Sequence, residues 1–422
     1  MTLALHDDLF DAQFVRALAY TAQGGAEIGE CFATAKRITK TDGELWYREW
    51  LATAQRAERD ADESAAAGHP VSARGAYFRA SNYYRTAGIF LMGTPVDDRF
   101  RSAARLQTET FRKGAVLLDL PPDVLEIPYE NTTLPGYFFR ASDDGAARPT
   151  VILTNGYDGT VEEMYFANAV AALERGYNVL AFDGPGQGSV ILDQGIPFRP
   201  DWENVVIPVV NFALTLPEVN PAGLVLHGWS FGGYTAARAA SGEHRLAACI
   251  SDSGPYDLND ALLARVPGVL AKQLPDGNRV ALKILDEVLE STMKKASAGW
   301  AMRRNLWVHG LTDPMEFFTI APDYTLKGRA QLITCPTFVC TTEGDDIGAA
   351  AATLAEDLVC PKEFVKFGID DDVSGHCEMS GRSVFHRRVF DWLDGVLAAG
   401  AVLAARAGTT GAGAGHLAKS NG

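Results

Sequence analysis

A serine between two glycines, placed where an apolar run meets a run of small residues, constrains this chain more than any other feature. Leu224–Leu226 predicts a buried strand, Gly228–Gly232 reads Gly-x-Ser-x-Gly, and Tyr234–Ala240 predicts a helix. A serine at such a strand-to-helix turn forms a nucleophile elbow, whose strained backbone needs glycines that do not collide with the neighbouring strand and helix. The elbow places the Ser230 hydroxyl at the carboxyl edge of a sheet and at the positive end of a helix. A chance match would lack the flanking strand and helix.

Composition indicates an ordinary globular protein and excludes several function classes. Hydrophobic residues make up 47% and charged residues 22% of the 422 residues, enough for one large core with a cap or second domain. A net charge of −15 disfavours nucleic acid and anionic membranes as partners. We expect neither a signal peptide nor a membrane span, and therefore a cytoplasmic location. The six cysteines lack metal-ligand spacing, so we expect reduced thiols and no metal or cofactor.

Residues 1–120 predict a helical N-terminal cap domain. Apolar residues recur at spacings of three and four from Asp8 to about Lys113, with a break at Gly68-His69-Pro70 and no repeat period. The aromatic residues after the break, Tyr83 among them, indicate packing. If this layer covers the serine, some of these rings line the substrate site.

From residue 121 onward the pattern alternates between strands and helices. Val124–Glu130 and Leu134–Ala141 predict a hairpin. The further predicted strands are Thr150–Thr154, Asn178–Phe182, Leu246–Ser251, Thr337–Thr341 and Glu363–Phe367, and the predicted helices are Val161–Glu174, Val205–Leu216 and Val384–Leu397. This alternation is typical of the α/β class, a mostly parallel sheet with helices on both faces. The loop Asp183–Gly188 lacks the Lys-Ser/Thr pair of a phosphate cradle and is predicted to be a structural turn.

The alternation is interrupted once. Residues 121–256 and 329–399 form the two parts of the predicted core, while 257–328 predict a helical lid insertion that contains Trp300 and Trp307. The Ala/Gly/Thr-rich residues 400–422 are predicted to be a disordered tail.

A serine nucleophile needs a histidine base and a carboxylate that orients it. In folds with this elbow the chain order is serine, acid, histidine. His376 lies in a loop after the last predicted strand, as the base should, whereas His386 inside the final helix and His227 before the elbow are expected to pack. The acid should follow Thr337–Thr341.

Three carboxylates follow that strand: Glu343, Asp345 and Asp346. Spacing favours Asp345, and Asp346 is the alternative.

Two backbone amides should form the oxyanion hole. One belongs to Phe231, and the other to the loop Asn155–Asp158, where Tyr157 is the candidate. Asp158 lies beside this loop and has several possible roles. It could cap the helix that begins near Thr160, bind a substrate hydroxyl, bind a keto group when protonated, or act as a second acid or base.

Several stretches together resemble one branch of a known family. They are Asn155–Glu163, Phe182–Gly188, Gly228–Gly233 and Gly375–Cys377, supported by Arg79–Arg85 and Trp300–Leu311. The chain is similar over about Trp46 to Gly395 to the FrsA-like branch of the α/β-hydrolases. That branch includes 2,6-dihydroxypseudooxynicotine hydrolase and fungal hydrolases that shorten polyketides by breaking a carbon–carbon bond.

The resemblance implies an α/β-hydrolase core with an N-terminal helical cap, a triad of Ser230, Asp345 and His376, and a homodimer. In 2,6-dihydroxypseudooxynicotine hydrolase an acidic residue after the third core strand is also implicated, and Asp158 occupies the matching place as Asp in place of Glu. The acid loop Thr342–Asp346 departs from the branch because it lacks the histidine that often follows the acid.

We therefore expect a serine hydrolase that acts on a small ketone- or ester-bearing molecule, with hydrolysis of a carbon–carbon bond in a β-diketone or polyketide favoured. A carboxylesterase, or acyl transfer or elimination by the same triad, is the alternative within this class. A catalytically silent binding or regulatory protein is the alternative from another class.

Overall fold

The computed structural model of the chain describes residues 3–273 and 278–413. Its first part is helical, as the spacing of apolar residues predicts. The helices are α1 (Asp8–Leu18), α2 (Ile28–Ala35), α3 (Gly43–Ala66), α4 (Pro70–Gly88) and α5 (Asp98–Ala115). The side chain of Asp42 caps α3 by accepting hydrogen bonds from two backbone amides. The predicted break separates α3 from α4, where Gly68 has a φ of +77° and Pro70 opens the next helix.

Within the described residues, one eight-stranded sheet forms the core, in the order β1-β2-β4-β3-β5-β6-β7-β8. The strands are β1 (Asp123–Tyr129), β2 (Thr132–Phe139), β3 (Arg148–Thr154), β4 (Asn178–Phe182), β5 (Val219–Trp229), β6 (Ala248–Asp252), β7 (Thr337–Thr342) and β8 (Lys362–Phe367). Strand β2 pairs antiparallel with β1 and β4, and every other pairing in the sheet is parallel. The predicted α/β class is confirmed.

Helices cover both faces of the sheet. After β3 the chain forms α6 (Val161–Met164), a π-helical turn (Tyr165–Ala169), α7 (Val170–Leu173), α8 (Gly188–Gln194), α9 (Glu203–Ala213) and α10 (Phe231–Ala240). Between β6 and β7 it forms α11 (Leu258–Leu263), α12 (Gly268–Ala271), α13 (Arg279–Met293), α14 (Ala296–Val308) and α15 (Pro314–Ile320), and later α16 (Ala351–Asp357) and α17 (Arg382–Gly413). Helices therefore occupy the region where the sequence predicts a lid insertion.

The central strands are buried on both sides, which explains their continuous apolar runs. Successive side chains of a strand point to opposite faces. In β3, Ile152 joins the core cluster on one face, while Val151 and Leu153 join the cluster on the other. In β5, Leu226 and Val225 divide in the same way.

The last helix is longer than the sequence predicts. The composition predicts disorder from residue 400, but α17 continues to Gly413. Alanines recur through 398–406, and alanine has the highest helix propensity, so the helix can continue past its predicted end. The rest of the predicted tail, 414–422, lies outside the described residues. Among the described helices, none is both long and apolar enough to cross a bilayer.

Candidate active site

The Gly-x-Ser-x-Gly stretch forms the predicted elbow. Strand β5 ends at Trp229, α10 begins at Phe231, and Ser230 between them has φ 62° and ψ −128°. A Cβ atom on Gly228 would lie 1.8 Å from the carbonyl oxygen of Gly232, so that position needs glycine. The strained serine is held by a hydrogen bond of 3.0 Å from its amide to the carbonyl oxygen of Asp252. This backbone directs the Ser230 side chain away from the strand.

The structure brings together the serine, histidine and acid that the sequence singles out. His376 Nε2 lies 2.7 Å from Ser230 Oγ, and His376 Nδ1 lies 2.8 Å from Asp345 Oδ2. The Asp345 side chain is 3% exposed and that of His376 is 31% exposed. Burial acts to raise the pKa of Asp345, but the hydrogen bond and charge of His376 outweigh it and keep that pKa below its ordinary value. Asp345 is therefore ionised at neutral pH and can orient the imidazole.

The alternative acids and histidines lie elsewhere. Glu343 and Asp346 are exposed. Among the described residues, His376 forms its hydrogen bond to a carboxylate with Asp345 and none with Asp346. His386 is buried, with Nε2 2.8 Å from the carbonyl oxygen of Ala167. His227 is buried beneath the elbow and packs near Phe385. Both histidines have packing positions, as the sequence predicts.

The loop after β3 passes close to the nucleophile. A Cβ atom on Gly156 would lie 2.8 Å from Ser230 Cβ and 3.0 Å from the backbone nitrogen of Phe231. Phe231 is the first residue of α10, so its amide has no acceptor within that helix. The Tyr157 ring stacks on that of Phe231 at 4.3 Å. Tyr157 and Phe231, the two residues predicted to form the oxyanion hole, therefore lie side by side next to Ser230. The loop can pass this close to Ser230 because Gly156 has no side chain.

The predicted structural turn Asp183–Gly188 supports this loop. Asp183 Oδ1 accepts a hydrogen bond of 2.9 Å from the Asn155 side chain, and Gln187 donates one of 2.5 Å to the Asn155 carbonyl oxygen. A Cβ atom on Gly188 would lie 1.9 Å from Asp183 Oδ2. The side chains of this turn therefore fix Asn155, the residue before Gly156.

A histidine of the insertion, which the sequence patterns do not indicate, holds Tyr157. The Tyr157 hydroxyl lies 2.9 Å from Nε2 of His309, whose Nδ1 lies 3.1 Å from the hydroxyl of Tyr324. Tyr324 in turn donates to the carbonyl oxygen of Phe198 at 2.9 Å. Burial lowers the pKa of His309 to about 3, so the imidazole is neutral and can accept from Tyr157 while donating to Tyr324. No motif around His309 signals this role.

Asp158 lies between two arginines from distant parts of the chain. Arg16 of α1 donates to Asp158 Oδ1 at 2.7 Å, and Arg304 of α14 donates to Oδ2. Burial acts to raise the pKa of Asp158, but the charges of the two arginines outweigh it and hold that pKa far below its ordinary value. Asp158 is therefore ionised, which removes the predicted role as a protonated partner of a keto group. It is also not the helix cap, because Thr160 itself accepts from the amide of Glu163.

A buried carboxyl pair lies beneath the histidine loop. Side-chain atoms of Asp252, Cys340 and Glu378 all lie within 4.8 Å of one another. Burial raises the pKa values of both carboxyls, and the charge of Asp252 raises that of Glu378 further. The guanidinium of Arg382 lies 3.5 Å from Asp252 and 3.9 Å from Glu378. A cation so close opposes a metal ion, so the arrangement fits a shared proton better than a metal site.

A cavity of about 510 Å³ lies between the N-terminal helices and the sheet. Helices α4 and α5 form one wall, and Tyr157, Asp158 and Gly159 form part of the opposite wall. Ser230 and His376 do not line the cavity. The loop Tyr157–Gly159 therefore lines the cavity and, through the stacking of Tyr157 on Phe231, also adjoins the nucleophile.

Comparison with known proteins shows one family. Residues 151–417 match the model described as the Alpha/beta hydrolase family. The chain is 36% identical to Hydrolase acrC of Aspergillus aculeatus, over 92% of this chain and 96% of that protein. It is 35% identical to 20-hydroxy-prefusarin hydrolase FUS2 of Gibberella moniliformis, over 93% and 97%.

Among solved structures, that of 2,6-dihydroxy-pseudo-oxynicotine hydrolase superposes with a TM-score of 0.71. The two chains are 22% identical, and the match covers 91% of this chain and 96% of the other. At that identity the likeness shows the shared fold, including the N-terminal helices.

Proposed function

The chain belongs to the alpha/beta hydrolase family and is a hydrolytic enzyme, and we propose that it is a serine hydrolase that cleaves a carbon–carbon bond in a small β-diketone or polyketide-like molecule. The observation that carries this proposal is the hydrogen-bonded series from Ser230 through His376 to Asp345, at an elbow that exposes the serine. A curated relative, 20-hydroxy-prefusarin hydrolase, is a fungal enzyme named for a hydrolytic reaction. Its name supports a hydrolase role in the chemistry of complex small molecules.

In the proposed first half-reaction, Ser230 Oγ attacks one carbonyl carbon of the diketone as His376 takes its proton. Negative charge develops on the carbonyl oxygen, which the amides of Tyr157 and Phe231 stabilise. Asp345 keeps His376 in the correct tautomer and stabilises the imidazolium that forms.

The tetrahedral intermediate then breaks a carbon–carbon bond. An enolate leaves, where an ester would release an alkoxide. The bond between the attacked carbonyl carbon and the central methylene breaks, and the leaving electrons form the enolate of the second carbonyl. His376 returns its proton to that carbon, which gives a methyl ketone. Asp158 cannot supply this proton because it is ionised.

Water completes the cycle. It attacks the acyl-serine with His376 as general base, and a carboxylic acid leaves. The sum consumes one water and converts one β-diketone into one carboxylic acid and one methyl ketone.

Product analysis tests this proposal. Purified protein and Ser230→Ala are each incubated with a panel of 1,3-diketones and matched aryl esters in ¹⁸O-labelled water. We expect diketone cleavage with label in the new carboxylic acid, and its loss in Ser230→Ala.

Other outcomes contradict the proposal in distinct ways. Ester turnover without diketone cleavage would indicate a carboxylesterase, and Ser230-dependent products without label would indicate acyl transfer or elimination. If a fluorophosphonate probe fails to label folded wild-type protein, the result would indicate a catalytically silent binding or regulatory protein. Labelling that Ser230→Ala abolishes is the expected result.

A further inference from the structure

A group of buried charges behind Asp158 contains more cations than anions. We call it the arginine cluster: Arg16, Arg85, Arg304, Asp158 and Glu163. Their relative exposure is low, with the side chains of Arg85 and Glu163 at 3% and 1%. Three guanidinium groups face two carboxylates, so one positive charge has no counter-ion within the cluster.

The contacts show which arginine is paired least well. Arg16 holds Glu163 with two hydrogen bonds, 2.7 and 2.6 Å, and also contacts Asp158. Arg304 takes the other oxygen of Asp158. Tyr20 adds a hydrogen bond of 2.7 Å to Glu163. Both carboxylates are thus engaged by groups other than Arg85.

Among the described residues, Arg85 makes a single side-chain hydrogen bond, from Nη2 to the hydroxyl of Thr86 at 3.0 Å. Its Nε lies 3.4 Å from Glu163 without forming a hydrogen bond, and both Nε and Nη1 are buried without an acceptor in the part of the chain that the structure describes. Burial lowers the pKa of Arg85, as expected for a charge without full compensation. A buried guanidinium in this condition is costly, because it has lost water and shares its one nearby anion, Glu163, with Arg16.

Arg85 also lines the cavity of about 510 Å³, together with Asp158. The other charged side chains of the cavity wall have partners. Arg101 pairs with Asp193, Arg105 pairs with Glu109, Arg112 donates to the Tyr137 hydroxyl, Glu162 accepts from Thr108, and Asp183 accepts from Asn155. Among the charged side chains of this wall that the structure describes, only Arg85 has buried nitrogens without an acceptor.

The apolar residues of the same wall define the rest of the ligand. Ile89, Met92, Phe100 and Trp307 line the cavity from the N-terminal helices and the insertion. A ligand that fills this space therefore needs an apolar body in addition to an anionic end.

We propose that this cavity binds the end of the substrate remote from the reacting carbonyl, and that this end carries a carboxylate held by Arg85. The proposal rests on the proposed function, and it narrows the substrate to an acidic diketone with an apolar middle. A carboxylate suits Arg85 because charge-assisted hydrogen bonds to guanidinium are short and strong. The negative charge of the carboxylate also balances the surplus positive charge of the arginine cluster. The loop Tyr157–Gly159 would lie against the middle of such a substrate.

Matched ligands test the proposal through kinetics. A series of 1,3-diketones that end in a carboxylate is compared with the corresponding primary amides. We expect wild-type protein to favour the carboxylate in kcat/KM by roughly tenfold to a hundredfold, mainly through KM. In Arg85→Gln the carboxylate-to-amide ratio of kcat/KM should fall to about one, and Arg85→Lys should recover part of this preference.

A matched control is Arg101→Gln, which removes another arginine of the cavity wall that already has an acidic partner. It should leave the carboxylate-to-amide ratio unchanged. If Arg85→Gln lowers kcat/KM equally for the carboxylate and the amide, Arg85 has a structural role and the proposal is overturned. An unchanged carboxylate-to-amide ratio of kcat/KM at wild-type activity would also overturn it.

A binding measurement separates this proposal from the catalytic one. Titration calorimetry on Ser230→Ala needs neither turnover nor a folded Arg85 variant. Tighter binding of the carboxylate than of the amide is expected, and equal binding would overturn the proposal. If the proposed reaction fails but the carboxylate preference remains, the cavity binds acidic ligands in an enzyme of different chemistry.

Discussion

Arg16 Nη1 lies 2.7 Å from Asp158 Oδ1 and thereby joins the first helix of the chain to the loop beside the nucleophile. Arg304 contacts the other oxygen from helix α14. The loop that contains Tyr157 is therefore held from two sides, by the N-terminal helices and by the insertion. Both layers contribute to the geometry of the site and do not merely cover it.

The ionised state of Asp158 predicts an acid-dependent contribution to stability. Its pKa in the folded protein lies far below the value of about 3.9 in the unfolded chain. Above about pH 5 both states are ionised and the full stabilisation is present. As the pH falls below about 4, the unfolded chain takes up the proton first and the stabilisation is lost.

We therefore expect Asp158→Asn to lower the free energy of unfolding at pH 7, by a margin that shrinks toward pH 3.5. Urea denaturation across this range measures the difference from wild type. The exposed Asp346 provides a control, because Asp346→Asn should change stability by less than about 0.5 kcal/mol. A margin that grows on acidification would contradict the ion pairs.

The two adjacent aspartates of the acid loop should differ greatly in their effect on turnover. Asp345→Asn leaves the shape but not the charge that orients His376, and loss of this charge in a serine triad lowers kcat by about 10⁴-fold. Asp346→Asn alters an exposed side chain and should change kcat less than threefold or so. Steady-state kinetics on an aryl ester or diketone that the wild type cleaves makes the comparison. If Asp346→Asn proves the more damaging, the assignment of the acid is wrong.

Gly156 should tolerate no side chain. In Gly156→Ala the new methyl group would lie 2.8 Å from Ser230 Cβ and 3.0 Å from both Ser230 Oγ and the Phe231 nitrogen. We expect the loop to shift and one oxyanion donor to be lost, with kcat lower by about 10²–10³-fold. Gly29→Ala is the matched control, since no atom lies within 4 Å of its added Cβ. Fluorophosphonate labelling rates provide a second measurement, and normal labelling of Gly156→Ala would refute the steric argument.

Local patterns in the sequence were sufficient for the sheet and for part of the site. Apolar runs located the strands, with bounds within two residues of the structure except at β5, which begins five residues before and ends three residues after the predicted Leu224–Leu226. Chain order placed Ser230 and His376. Spacing favoured Asp345 but left Asp346 open, because adjacent residues in a loop differ mainly in the direction of their side chains.

No local sequence pattern indicates which residues contact Asp158 and Tyr157. Arg16 and Arg304 lie 142 and 146 residues from Asp158, and His309 lies 152 residues from Tyr157. Such contacts depend on how the N-terminal helices and the insertion pack on the core, which periodicity does not encode. The protonation state of Asp158 followed from these contacts, so sequence left its role open.

The buried His227 makes a final prediction about pH. Burial, assisted by the charge of Arg382, lowers its pKa to about 3, and neither ring nitrogen has a hydrogen-bond partner among the residues that the structure describes. The unfolded chain, with a histidine pKa of about 6.5, therefore takes up a proton first on acidification. The stability associated with neutral His227 is complete above pH 6.5 and is lost as the pH falls toward 3. At pH 5 the expected loss from this residue is about 2 kcal/mol.

His227→Leu removes the titrating group at similar volume, so the variant should gain about 2 kcal/mol relative to wild type between pH 7 and pH 5. Denaturant unfolding at the two pH values measures this gain, with the exposed His244→Gln as control. His386 is also buried, and its pKa is likewise lowered by burial, so His227→Leu should remain partly acid-sensitive. Parallel pH curves for His227→Leu and wild type would show that His227 accepts a proton in the folded protein, contrary to its burial without a partner.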